Sequence, residues 1–224
     1  MAEAVSAILP MALAAALGPL PVVMVILLLG SAAPLRNGSL AVLGWFIPFL
    51  VVCGIAYAAA RAGRIGAGSD SSRADVVRVV LGVALLGLAV RQWLQRPPPG
   101  ETAQPPEWME EIDSFGAGRS FRAGLLLAGL DPTNLVFSIG AGAAVAQTGV
   151  DPLGGWLAVL VYALLSSSTI AAPVVYYAAA GGHAEARLSE VEHWLEANAD
   201  AVTLTLLLVL GVVFLSNGLT GLFG

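Results

Sequence analysis

Twice in this chain proline interrupts a hydrophobic stretch long enough to cross a bilayer, at Leu17-Gly18-Pro19-Leu20-Pro21 and at Leu130-Asp131-Pro132-Thr133-Asn134. Proline lacks an N–H and its ring clashes with the preceding turn, so each motif frees backbone groups that hydrocarbon cannot satisfy. A chain built this way must turn its loose ends toward each other or toward water. Paired breaks in the two halves of a membrane protein predict a polar site near the midplane, where a transporter holds its substrate or coupling ion.

The surrounding composition sets the class. Of 224 residues, 58% are hydrophobic and 11% charged, which predicts an all-α polytopic membrane protein instead of a soluble globular domain. Stretches that meet the ~20-residue requirement of a spanning helix run over 6–30, 39–60, 76–95, 121–147, 153–180 and 200–222. Ala12-Leu13-Ala14 and Ala14-Ala15-Ala16 have the small-residue pattern of a signal-peptidase site. Glu3, however, stands where a signal peptide carries positive charge, and Pro10 cuts the apolar core short, so the start reads as a span. The single cysteine, Cys53, excludes an internal disulfide or a CxxC redox pair. Net charge is −5 and all ten basic residues are arginine, a balance that argues against nucleic acid and against a polybasic lipid patch.

Pro19 and Pro132 stand 113 residues apart, about half the chain, and the segments C-terminal to them are similar in kind. The first half continues through Gly44-Trp45 to Tyr57-Ala58-Ala59-Ala60, and the second through Gly155-Trp156 to Tyr177-Ala178-Ala179-Ala180. Three spans per half is an odd number, so the second half enters the membrane inverted. The expectation is a 3+3 inverted repeat of six transmembrane helices, with the first and fourth broken. Residues 1–96 form the first repeat and 119–224 the second, joined by a Pro-rich linker over 97–118. Within 183–198, Leu188, Val191 and Leu195 share one helical face while Glu185, Glu190, Glu192 and Glu196 occupy the rest, the pattern of an amphipathic helix lying along the membrane surface. Arg36, Arg91, Arg96, Arg119, Arg122 and Arg187 flank one set of links, against Arg61, Arg64, Arg73 and Arg78 on the other, favouring the first set as cytoplasmic.

The candidate substrate or coupling-ion site comprises Gly18, Pro19, Pro21, Asp131, Pro132, Thr133 and Asn134. Asp is a strong N-cap and Pro suits the first helical turn, so the fourth span should stop at Asp131 and restart, aiming free N–H groups at the membrane centre. Asp131 reads as the only acidic residue well inside a span, which gives it a functional role by default, although capping alone would also employ it. Pro48 and Pro173 are expected to produce ordinary bends. Ser166, Ser167 and Thr169 are candidate pathway residues whose hydroxyls equally suit helix packing. No HExxH, GxSxG or P-loop occurs, and His183 and His193 read as part of a solvated face. Neither an enzyme, a cofactor nor a metal site is therefore expected.

Gly18-Pro19-Leu20-Pro21, Arg36-Asn37-Gly38, Leu43-Gly44-Trp45 and Asp131-Pro132-Thr133-Asn134-Leu135 leading into Ala141-Gly142-Ala143-Ala144-Val145-Ala146-Gln147 make a combination that resembles the GAP family, the peptidoglycolipid-addressing proteins of the lysine exporter (LysE) superfamily. The resemblance covers nearly the whole chain. It implies a six-span inverted-repeat transporter in the bacterial plasma membrane, exporting an envelope glycolipid or lipid-linked precursor. The family's usual Asn-Pro-Lys-Asn falls on Asp131, Pro132, Thr133 and Asn134; Pro132 and Asn134 match, while Asp131 and Thr133 exchange a positive group for a negative one. That exchange favours proton or cation coupling over an anionic ligand at this point. Alternatives are a small-solute or cation exporter, and a non-transporting accessory subunit of a lipid export system. The expected partners are membrane lipid, a glycolipid or small-molecule cargo, and a second copy or a larger lipid-export complex.

Overall fold

The computed structural model describes residues 1–63, 71–95 and 112–223, and every regular element among them is helical. In chain order these are α1 (Ala2–Ala16), α2 (Pro19–Leu29), α3 (Pro34–Arg61), α4 (Ser71–Leu94), α5 (Ala117–Leu130), α6 (Pro132–Gln147), α7 (Pro152–Ser166), α8 (Ser168–Ala180) and α9 (Ala184–Phe223), with short 3-10 turns at Ile112–Ser114 and Gly181–His183. Most of the expected linker, 97–111, lies outside the described residues.

Two helices, α3 and the 197–223 part of α9, are each long and apolar enough to cross a membrane, and the count rises to five if each bent pair is one span. The pairs are α1–α2, bent by 58°, α5–α6, bent by 69°, and α7–α8, bent by 61°. The first two breaks fall at the proline motifs. At the first, Gly18 takes an extended conformation before Pro19 begins α2. At the second, Asp131 caps α6, its carboxylate accepting from the Thr133 N–H at 2.7 Å, with Pro132 in the first helical position. Asp151-Pro152 starts α7 in the same way, Asp151 accepting from the Gly154 N–H at 3.1 Å.

The third break, at Ser167, differs from the expected bend at Pro173. Pro173 sits inside α8 and deprives the Thr169 carbonyl of its i+4 donor. The serine run supplies local competition, since Ser168 Oγ donates back to the Leu165 carbonyl at 2.7 Å. Pro10 and Pro48, by contrast, lie within unbroken α1 and α3.

The segment 184–196 does not form a separate surface helix. It is the first part of α9, 40 residues long, which at 1.5 Å per residue extends about 60 Å, roughly twice a bilayer's hydrocarbon thickness. Leu188 is buried, but Val191 and Trp194 are exposed, and the side chains of Glu185 and Glu196 lie outside the description. The apolar stripe is too short to dictate a break where no Gly or Pro interrupts the helix.

Glycine sets the closest approaches. A Cβ on Gly44 would meet the Phe121 carbonyl, and one on Gly124 the Ala41 carbonyl, so α3 and α5 cross backbone against backbone. Gly142 brings α6 against Cys53 and Tyr57 of α3, and Gly54 receives the Trp156 ring of α7. A second seam joins α4 and α9: Gly82 faces the Leu215 backbone, Gly211 faces Leu86, and Gly218 faces Val79 and the Asp75 carbonyl.

Candidate functional site

The two proline breaks meet. Gly18, Pro19 and Pro21 from the first, and Asp131, Thr133 and Asn134 from the second, line one cavity of about 310 Å³, closed around by Ala14 and Ala15 of α1, Trp45 of α3, Gln92 of α4, Phe137 of α6 and the Ala199–Leu207 face of α9. Pro132 is not on the wall; it is exposed and holds the first turn of α6 beside it. Ser166, Ser167 and Thr169 also lie off the wall. Thr169 nevertheless serves the site indirectly, because its hydroxyl donates to the Ala16 carbonyl. That carbonyl ends α1 and has lost its own donor to the break at Gly18-Pro19. Ser166 and Ser167 are buried, with hydroxyl oxygens that have no hydrogen-bond partner among the described residues.

The cavity wall is polar in a particular way. Asn134 is 6% exposed and Trp45 3% exposed, and neither Asn134 Nδ2 nor Trp45 Nε1 has an acceptor among the described residues. A buried, unsatisfied N–H costs about 1–3 kcal/mol, and both of these nitrogens lie beneath the cavity surface that their residues border. Opposite in character are two carboxylates. Asp131 spends one oxygen on its own helix cap, and Asp200 accepts from Gln92 Nε2 at 3.0 Å, a bond that ties α9 to α4 across the wall. Among the described residues, no arginine borders this cavity. The chemistry offered is therefore carboxylate acceptors with two N–H donors buried just behind the surface, suited to hydroxyl groups or a cation and unfavourable to an anion.

Asp131 is thus not the lone acid of the helical bundle. Asp200 shares its cavity, and Asp75, 4% exposed, is held at 2.6 Å by Arg78 at the far end of α4. Both stand next to the ends of their apolar stretches, where sequence alone reads an acid as an interfacial residue. The 3.6-residue spacing of Asp200, Thr203 and Leu207 does put them on one face, and that face is the one turned to the breaks. Gln92 carries no sequence signal of its own, and the Gly44-Trp45 motif does not by itself point Trp45 at the breaks.

A second cavity, of about 240 Å³, lies between the opposite halves of the same helices and is bordered by Ser6, Met11, Arg78, Gly140, Gln147 and Asn217 among others. On the α5 flank, Arg119 stacks 4.5 Å above the Phe115 ring and borders an apolar groove with Arg122 and Leu126. Elsewhere the bundle is fastened by Asn37, whose Nδ2 donates to Ser31 Oγ and to the Phe115 carbonyl, each at 2.9 Å. Arg61 joins Tyr57 to the Val150 carbonyl at the end of α3.

No curated protein and no solved structure matches the chain. The model of one family does, from residue 8 to residue 220, so that its match takes in both proline breaks and both seams of glycine contacts: this membrane protein belongs to the SfLAP family, described as Sap, sulfolipid-1-addressing protein.

Proposed function

We propose that the chain is a secondary exporter of an envelope lipid with a polar, hydroxyl-bearing headgroup, working in the bacterial plasma membrane as a six-span 3+3 inverted repeat of the LysE-superfamily type. The observation that carries this reading is the meeting of both broken helices at one cavity whose wall holds two carboxylates and two unpaired N–H donors. The family's description as sulfolipid-addressing supports a lipid cargo. A wall without arginine among the described residues supports a neutral portion of the headgroup as the part held there, with a sulfated or phosphorylated portion kept outside the cavity.

Contacts between helices support the inverted repeat. If α1, α2, α3 and α4 correspond to α5, α6, α7–α8 and α9, the packing of α5 on α3 has its counterpart in α1 on α7, α6 on α4 in α2 on α9, and α4 on α9 in itself. The break at Ser167 has no counterpart in α3, so the correspondence is one of position and not of detail. Asp131 and Asp200, two carboxylates on one cavity wall that no arginine borders among the described residues, support proton or cation coupling.

The test is reconstitution with an NBD-labelled glucosyl lipid, following exchange between leaflets by dithionite quenching under an imposed pH gradient. Wild-type protein accelerates exchange and the gradient biases its direction. Asp131→Asn retains the helix cap, because asparagine caps as well as aspartate, and should bind lipid yet lose the gradient dependence. Unchanged gradient-driven exchange in a folded Asp131→Asn protein would reduce Asp131 to a cap and favour an accessory-subunit role.

A further inference from the structure

The two cavities share their walls. The one at the helix breaks is bordered by Ala14, Ala15, Gln92, Asn134, Phe137 and Asp200, the other by Ser6, Met11, Arg78, Gly140, Gln147 and Asn217. Each therefore draws on α1, α4, α6 and α9, and along every one of these helices the two sets of residues occupy successive, non-overlapping stretches. The cavities are in line, one above the other. Between them stand Ala12 of α1 and Leu85 of α4, each 0% exposed, and Leu210 of α9, which packs against the same core. Just beyond, Gly140 lets α6 approach the side chains of Leu81 and Met11 so closely that a Cβ there would stand 2.8 and 3.0 Å from them.

The way these walls are joined divides them. On one side α3, α5, α6 and α7 are fixed by glycine contacts in which backbone meets backbone or a ring fills the glycine's place, and on the other α4 and α9 are fixed to each other in the same manner. Where the α4–α9 pair faces α1 and α6, by contrast, side chains occupy the space between the cavities, Leu85 and Leu210, with Leu81 against Gly140 at the edge of the second cavity. Side-chain contacts can slip or re-form with a small change of rotamer, whereas interlocked backbones must move together.

We propose that the two cavities are two stations of a single route across the protein, that Leu85 with Ala12 and Leu210 is the layer that separates them, and that α4 and α9 rock as one body to open each station in turn. This rests on the exporter reading above and extends it to a second binding site. The first station takes hydroxyls or a cation through Asp131, Asp200, Asn134 and Trp45. The second offers a different chemistry, the amides of Gln147 and Asn217 and the guanidinium of Arg78, which suits an anionic or hydroxylated group arriving after the layer has opened. Asp75, paired with Arg78 at 2.6 Å, competes for the same guanidinium and would favour release from the second station over retention.

The test is sided thiol labelling in sealed proteoliposomes of known orientation with sulfonatoethyl methanethiosulfonate, which does not cross membranes. Wild-type protein, whose one cysteine, Cys53, is 0% exposed, provides the blank. Thr203→Cys reports the first station and Ala144→Cys the second. The expected result is labelling of the two from opposite faces, and a rise of about tenfold or more in wrong-side labelling of both when Leu85→Ala is added, because trimming the layer moves the closed–open balance. Leu85→Val, a smaller trim, replaces Leu85→Ala if that protein does not fold. Labelling of both cysteines from one face overturns the single route, and unchanged sidedness in the trimmed protein overturns Leu85 as its barrier. Neither result touches the Asp131→Asn exchange experiment. Lost gradient dependence there with one-sided labelling here would mean a coupled site without this route.

Discussion

The α3–α5 crossing makes a demanding test of the packing, because the obstruction at each glycine is main chain. A methyl on Gly44 would fall on the Phe121 carbonyl and within 3.0 Å of the Leu125 nitrogen; one on Gly124 would fall on the Ala41 carbonyl and within 2.9 Å of the Trp45 nitrogen. A side chain could swing aside from such a clash, but a helical carbonyl moves only with its helix. Each Gly→Ala change must then separate α3 from α5, and overpacking of this kind costs about 1–3 kcal/mol. Once one methyl has pushed the helices apart, the second finds part of its room already made. The double variant Gly44→Ala/Gly124→Ala should therefore cost less than the sum of the two, with a coupling of about 0.5–1 kcal/mol or more. Gly87→Ala is the control: the position is exposed, nothing lies within 4 Å of the added carbon, and removing a mid-helix glycine is worth about 0.5–1 kcal/mol in the stabilising direction. Unfolding in mixed micelles, driven by SDS and followed by far-UV circular dichroism, reads all four proteins. Should Gly44→Ala and Gly124→Ala unfold at the same SDS fraction as Gly87→Ala, the backbone contact between α3 and α5 does not exist in the folded protein.

Three further outcomes can be checked in the same way. Asn37→Ala removes both the Ser31 and the Phe115 partners of a buried amide and should destabilise by about 2 kcal/mol in that SDS titration. Thr169→Val keeps the shape but strands the Ala16 carbonyl at the first break, with an expected loss of about 1–2 kcal/mol that Thr169→Ser largely restores; equal stability of the valine and serine variants would refute the bond. Asp200→Asn preserves an acceptor for Gln92, so stability should stay within about 1 kcal/mol of wild type while gradient-driven lipid exchange is lost, measured by dithionite quenching.

The breaks at Gly18-Pro19 and Asp131-Pro132 are readable in the sequence because proline acts locally and irrespective of its neighbours, and Asp131 announces itself as a cap by standing directly before one. Long apolar runs likewise mark each of the two helices and three bent pairs that are long and apolar enough to cross a membrane; the sixth expected run, 76–95, falls in α4, which carries Asp75 and Arg78 near one end and is not among them. Relations between distant segments are not written locally. Nothing near Trp45, Gln92 or Asp200 indicates that three separate helices converge on the breaks, and an acid at the edge of an apolar run looks the same whether it meets solvent or a cavity. The break at Ser167 is obscured for a related reason. Its proline, Pro173, is offset from it, and the hydroxyls that stabilise the bend resemble those of ordinary helix packing. The expected surface helix merges into α9 because amphipathic periodicity reports a face and says nothing about where a helix ends.

The continuity of α9 has a mechanical consequence. Its outer turns, from Ala184 to beyond Trp194, run without a joint into the stretch that carries Asp200 and Thr203. A helix without a hinge passes torque and tilt along its axis with little loss, so a push on Leu188 or Trp194 arrives at Asp200 as displacement instead of being absorbed in a flexible elbow. The outer third of the helix thereby serves as a handle on the cavity wall. Whatever grips it, a leaflet that thickens or another protein that docks, gains leverage over the bond between Asp200 and Gln92 without entering the membrane.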